Sequence, residues 1–215
     1  MKPETQLPIV KEGFIFIGGA LLLTVVAAIE VRTGTAIFMG LITLFVAWFF
    51  RDPRRVVPEG NGLLVSPADG VVLEISRIEE MRFIKGPAIK MSIFLNIFNV
   101  HITRVPFEGR VVDILYNAGR FFAANVPKAS LENEQNMVVI ETPLGKKIVV
   151  VQIAGLIARR IVCWIKKEAI MNRGERFGLI RFGSRVDLIF PDTIELRVSK
   201  GDRVWGGETI LGRLS

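Results

Sequence analysis

Hydrophobic and polar positions divide the chain in two. Gly13 to Ile29 (GFIFIGGALLLTVVAAI) is a run of 17 uncharged residues and Ala36 to Phe50 (AIFMGLITLFVAWFF) a run of 15, with EVRTGT between them. Such runs fall at or below the roughly 17–25 residues of a spanning helix. They predict an apolar helical hairpin over 13–50, crossing the bilayer as short or tilted helices or dipping into one leaflet. A buried pair of core helices fits the same pattern and is the alternative. Beyond Phe50 the pattern shortens to VVLEIS, IKMSIFL, RVVDILY, MVVIET, KKIVVVQIA, RIVCWI, VDLIF and IELRV, each bounded by Gly, Pro, Asn or Asp. Short β-branched runs between turn formers predict an antiparallel, mainly β domain over 63–215. Pro53, Pro58 and PEGNG make 51–62 a basic linker into it, and 1–12 precedes the hairpin. Ala124 to Asn136 (ANVPKASLENEQN) is polar and reads as a loop with one helical turn.

Composition narrows the setting. Half of the residues are hydrophobic, more than in most soluble domains, and the excess lies in the first 50 positions. A second apolar run directly after the first, with no small-residue cleavage site before a polar start, argues against a secretory signal. Lys2 and Lys11 precede the hairpin and RDPRR (Arg51 to Arg55) follows it, against Arg32 alone in the turn. The positive-inside rule then puts both termini in the cytoplasm and the main domain on the cytoplasmic face of the cell membrane. The net charge of +7 comes without a basic stripe interleaved with aromatics, so an anionic lipid surface explains it better than nucleic acid. Cys163 is the only cysteine, which excludes a disulfide framework and a cysteine zinc site and leaves a buried, inert thiol; no metal is expected.

Two segments resemble each other. SPADGVVLEI (Ser66 to Ile75) and SKGDRVWGGETILGRL (Ser199 to Leu214) are similar to the two halves of the biotinyl/lipoyl-type barrel-sandwich fold, so the fold class expected is a barrel-sandwich-hybrid-like β domain preceded by the helical hairpin. That likeness keeps a non-enzymatic alternative open, a membrane-anchored carrier or adaptor. Carriers present a modifiable lysine on a hairpin, and the corresponding turn here, Ala68-Asp69-Gly70, has none.

Candidate chemistry centres on RFGSRVDLIF, Arg181 to Phe190. Apolar and polar positions roughly alternate from Leu179 onward as in one strand, yet Gly183 and Ser184 interrupt it, and glycine inside a strand marks a close backbone approach. His101 is the single histidine, set in IFNVHITRVPFEG. Taken singly, His101 is as well explained as a structural residue, Asp69 as a turn former before glycine, and Ser184 as a strand serine. Together they supply the Asp, His and Ser with which an oriented base activates a hydroxyl. The serine lacks the flanking glycines of G-x-S-x-G, which disfavours a membrane serine hydrolase. A serine directly after an unhindered glycine suits attack on its own preceding peptide bond.

SPADG, FNVHITRVP, KASLENEQN, VQIAGLIARRI and GERFGLIRFGSRVDLIFP (Gly174 to Pro191), separated motifs in this order along the chain and behind two apolar segments, resemble the short prokaryotic form of phosphatidylserine decarboxylase. The resemblance implies a proenzyme that cuts itself between Gly183 and Ser184 into a β chain, 1–183, and an α chain, 184–215, which stay associated. It implies a pyruvoyl group made from Ser184, with His101 as the base and Asp69 holding its imidazole. It also implies decarboxylation of phosphatidylserine to phosphatidylethanolamine, the pyruvoyl ketone condensing with the head-group amine and serving as electron sink. His101 is a candidate proton donor in that step too. Long members carry Leu-Gly-Ser-Thr at the cut, where this chain has Phe182-Gly183-Ser184-Arg185. They also have a second histidine where this chain has Arg104, so the base role falls on His101 alone. For the lipid head group, Arg159 and Arg160 offer guanidinium forks for phosphate or carboxylate, and Asn125, Lys128 and Ser130 offer polar contacts. Phe121 and Phe122 are candidates for an acyl-chain entry. A homo-oligomer is left open.

Overall fold

A computed structural model describes residues 7–30, 32–119, 133–155, 160–181 and 183–214. It separates into two compact units, 1–54 and 55–215.

In the first unit a 3-10 turn (Lys11–Gly13) leads into α1 (Phe14–Ile29), which packs against α2 (Thr33–Phe49). Together the turn and α1 span 19 residues of mean hydropathy 2.2, long and apolar enough to cross a membrane; α2, at 17 residues, is shorter. Between the helices the hydroxyls of Thr24 and Thr43 lie 3.0 Å apart. Each also donates to a main-chain carbonyl one turn earlier, Ala20 or Met39, so neither polar group is stranded. At the open end Phe50 stacks on Phe16 with ring centroids 5.3 Å apart. A Cβ at Gly13 would lie 2.5 Å from the Phe50 Cβ, so glycine is required there. Leu22, Ile29, Ile37, Leu41 and Leu44 point outward and are more than half exposed, the opposite of a buried core pair, whose apolar side chains are covered.

The second unit is built of β-strands: β1 (Leu63–Val65), β2 (Gly70–Glu80), β3 (Gly86–Leu95), β4 (Ile102–Arg104), β5 (Gly109–Asn117), β6 (Gln135–Glu141), β7 (Lys147–Ala154), β8 (Ile161–Cys163), β9 (Ile170–Met171), β10 (Arg176–Ile180), β11 (Ser184–Pro191), β12 (Glu195–Leu196), β13 (Arg203–Val204) and β14 (Ile210–Arg213). Eight form one curled sheet in the order β13-β2-β3-β11-β7-β6-β5-β9; β1-β14-β12 and β4-β10-β8 form two smaller ones. The chain is thus mainly β behind an apolar helix pair, the fold class its pattern and barrel-sandwich segments lead one to expect.

Strand β11 is central, paired antiparallel with β3 on one side and β7 on the other. Its alternate residues Val186, Leu188 and Phe190 enter the main core with Ile93, Met91 and Val150. Ile189, facing the other way, packs on a second cluster of Val139, Val149, Val151 and Ile153. Burial on both faces explains why the β7 segment KKIVVVQIA reads as an almost unbroken apolar run instead of alternating.

One expectation needs correcting. The alternation from Leu179 to Phe190 reads as a single strand interrupted by Gly-Ser, but the chain here leaves one sheet and enters another. β10 ends at Ile180 in the β4-β10-β8 sheet, and β11 starts at Ser184 in the large one. Gly183 makes the junction with φ +63°, in the left-handed region that glycine enters at little cost.

Candidate active site

Ser184, the first residue of β11, is paired with Leu95 at the end of β3 and with Ala154 at the end of β7. Its side chain shares the core face with Val186, and its Oγ is buried without a hydrogen-bond partner. A buried hydroxyl in this state costs free energy, and such groups often mark chemistry. His101 reaches the same place from another strand. It precedes β4, which pairs with β10, and the amide of Ile180 donates to the His101 carbonyl at 3.1 Å. The element that leads into the Gly-Ser junction therefore also carries the histidine's backbone.

The imidazole is almost wholly buried, and its hydrogen bonds define its tautomer. The Gly183 N–H donates to Nε2 at 3.3 Å. A main-chain N–H can only donate, so Nε2 carries the lone pair, and Nδ1–H donates to the Asn99 carbonyl 3.0 Å away. The unprotonated nitrogen thus sits on the residue immediately before Ser184, as a base for that serine requires.

Asp69 lies elsewhere in the loop between β1 and β2. Arg55 Nη2 binds both its oxygens at 2.9 and 2.7 Å, and the Gly206 amide donates to Oδ1 at 2.8 Å. Among the described residues the hydrogen bonds of Asp69 run to Arg55 and Gly206 and not to His101, whose Nδ1–H is held by the Asn99 carbonyl. Arg55 Nη1 reaches Glu208 at 2.8 Å, and the Val56 amide donates to the other oxygen of that carboxylate at 2.9 Å. Burial opposes the charge on Arg55, but Asp69 and Glu208 outweigh it and raise its pKa. For Glu208, burial pushes the pKa up, and the Val56 amide with the Arg55 guanidinium brings it below the usual carboxylate value. The turn that carries Asp69 is tied to β4, because the Arg104 amide donates to the Pro67 carbonyl at 2.8 Å. With Ala68 and Asp69 buried, the turn offers no exposed tip for a carrier modification.

Of the head-group candidates, Arg160 is exposed, and its carbonyl accepts a long hydrogen bond, 3.4 Å, from the Arg181 amide two residues before Gly183. Arg159, Asn125, Lys128 and Ser130, with Phe121 and Phe122, lie outside the described residues. Cys163 is half-buried rather than fully covered. Among the described residues no group of three or more His, Cys, Asp or Glu could hold a metal.

Several residues around the site carry no sequence signal of their own. Asn136 Nδ2 donates to Gln152 Oε1 at 2.8 Å, and Gln152 Nε2 to Thr103 Oγ1 at 2.7 Å, a buried polar chain beside Val186. Gly178 makes room for it, since a Cβ there would lie 2.4 Å from the Val162 carbonyl oxygen and 2.7 Å from Gln152 Nε2. Glu134, also buried, accepts from Tyr116 Oη at 3.0 Å and from the Ile161 amide at 3.3 Å. Burial and then Glu134 push the Tyr116 pKa up. The one available signal was Asn99, two residues before the only histidine within a motif already singled out.

Comparison with known proteins gives a consistent answer. The sequence model of the family described as phosphatidylserine decarboxylase matches residues 42–212. A phosphatidylserine decarboxylase proenzyme of Desulfotalea psychrophila is 49% identical over 212 residues, covering 98% of this chain and 99% of its own. Proenzymes of the same name from Geotalea uraniireducens and Syntrophus aciditrophicus are 50% and 47% identical, with 96% and 95% of this chain covered and 97% and 96% of theirs.

Proposed function

This chain belongs to the phosphatidylserine decarboxylase family, and from that premise we propose that it decarboxylates phosphatidylserine to phosphatidylethanolamine after cutting itself between Gly183 and Ser184. One observation carries the proposal: a buried, unpartnered Ser184 Oγ follows a left-handed glycine whose N–H rests on the unprotonated Nε2 of His101.

His101 Nε2 takes the proton of Ser184 Oγ as that oxygen attacks the Gly183 carbonyl carbon. The Gly183–Ser184 amide bond breaks, the proton passes to the departing nitrogen, and an ester replaces the amide. Loss of the Ser184 α-proton then breaks the Cβ–Oγ bond and releases the Gly183 carboxylate. Water removes the nitrogen of residue 184 as ammonia. Gly183 suits the first step because, having no Cβ, it leaves its own carbonyl carbon open to the attacking oxygen.

The residues fit the group that results. Residue 184 is held by the paired ends of β3 and β7 on a buried face with His101 beside it, so bulk water is kept away. The pyruvoyl group supplies the electron sink for loss of CO2. His101, set by the Asn99 carbonyl, delivers the proton that replaces CO2, and Arg160 offers a guanidinium to the head-group phosphate or carboxylate. The apolar helix pair anchors the chain in the membrane, with the β unit on the cytoplasmic side where the flanking arginines favour it. The α and β chains stay together through the ladders of β11 within the large sheet.

The test is release of labelled CO2 from carboxyl-labelled phosphatidylserine in mixed micelles. Wild-type protein should release it and Ser184→Ala should not; equal release from both would remove Ser184 from the reaction.

A further inference from the structure

The connection from β3 to β4 joins two parts of the site, since Leu95 before it is paired with Ser184 and His101 ends it. Between them lies Asn96-Ile97-Phe98-Asn99-Val100. Both asparagine side chains turn inward: the Asn96 amide donates to Asn99 Oδ1 at 2.9 Å, and the Phe98 amide to Asn96 Oδ1 at 2.8 Å. The Asn99 amide donates to the Asn96 carbonyl at 3.0 Å and closes the turn. Asparagine side chains that satisfy the main chain in this way make a built turn. Its tip nevertheless presents Ile97, 37% exposed, and Phe98, 61% exposed, while Val100 and His101 are buried.

A single exposed apolar residue needs no explanation, but two adjacent ones on a braced turn joined to the catalytic base are a different matter. The Ile180 amide binds the His101 carbonyl, and the next residue, Arg181, donates its amide to the carbonyl of exposed Arg160. An exposed apolar tip on a chain of net charge +7 complements an anionic bilayer surface, aromatic and aliphatic side chains entering the acyl boundary while basic groups meet phosphates.

We infer that the Ile97–Phe98 tip inserts into the lipid surface next to the substrate, so that the Asn96–Asn99 turn holds His101 in register with a head group still seated in the bilayer. The inference deepens the decarboxylase proposal and rests on it for the identity of the substrate. Asn99 links insertion to chemistry, because the residue whose amide closes the turn also gives its main-chain carbonyl to His101 Nδ1–H.

The experiment uses the full chain in proteoliposomes of phosphatidylcholine doped with phosphatidylglycerol. On a Cys163→Ser background, Phe98→Cys is labelled with an environment-sensitive fluorophore, and Leu144→Cys, at another exposed apolar turn, is the comparison site. Label at 98 should be quenched by nitroxide lipids and shielded from an aqueous quencher, and label at 144 should behave in the opposite way. Aqueous quenching at 98, or shielding that persists in detergent and grows with protein concentration, would overturn the inference, the latter by showing contact between copies of the chain. In parallel, the Ile97→Ser/Phe98→Ser variant should raise the apparent KM for bilayer phosphatidylserine about tenfold or more, since the exposed parts of two apolar side chains lose their burial. Its kcat, and its activity on a short-chain monomeric phosphatidylserine, should match wild type. An unchanged KM on bilayers would likewise contradict it. Absence of self-cleavage and turnover in wild type would defeat the decarboxylase proposal instead, and the quenching result does not depend on either.

Discussion

Replacing Gly183 by alanine separates two reasons for a glycine at the proposed cut. A Cβ at 183 has no heavy atom within 4 Å beyond its chain neighbours, so alanine adds no packing clash. The backbone, however, sits at φ +63°, where an L-residue pays about 1–2 kcal/mol. If cleavage proceeds from this conformation, that cost falls on the reactive geometry. At 1.36 kcal/mol per factor of ten, Gly183→Ala should cut about 5- to 30-fold more slowly than wild type. The assay is cell-free synthesis into nanodiscs followed by a timed chase, with precursor and β chain resolved on a denaturing gel. Cleavage at the wild-type rate would show that the left-handed junction plays no part. Complete loss in a variant that still folds would show that access to the carbonyl, not backbone strain, is what glycine provides.

Other expectations follow from the same geometry. His101→Ala should leave the full-length precursor, because no other base touches residue 183 among the described residues; efficient self-cleavage there, read by mass, would require another base. Arg55→Met leaves the buried Asp69 carboxylate without its guanidinium and should cost about 3 kcal/mol, the low end for a broken buried pair because Glu208 still reaches solvent. For a unit of this size that lowers the thermal unfolding midpoint by roughly 6–12 °C, measurable by calorimetry in detergent. The Glu208 pKa is lower folded than unfolded, so its contribution is fully present above the ordinary glutamate value and is lost as pH falls through the depressed one. Wild type should therefore lose more stability than Glu208→Gln as the medium is acidified below about pH 4.5, the ordinary carboxylate range, and parallel losses would exclude the Arg55–Glu208 pair as the cause.

What could be seen in the sequence was what is local. The two apolar runs became α1 and α2 within a few residues of their limits, since length and composition decide such helices without reference to the rest of the chain. All eight β-branched runs contain strands, and the Gly183 N–H, from one of the separated motifs, rests on His101 from another. What escaped was non-local. The change of sheet at Gly183 is invisible because β10 and β11 are both buried and their patterns run on into each other. Asp69 before glycine in a sequence with one histidine invites a triad, yet its partners, Arg55 and Gly206, lie 14 and 137 residues away. The short strands β4, β9 and β13, of two or three residues, are too brief for any period to register, although β4 directly follows His101 and fixes its place.

Intact mass under denaturing conditions, on protein purified from membranes, bears most directly on the central claim. Self-cleavage predicts two chains, Met1 to Gly183 and Ser184 to Ser215, the smaller one lighter than a serine-ended fragment by one ammonia. A single unmodified chain of 24.0 kDa would contradict it.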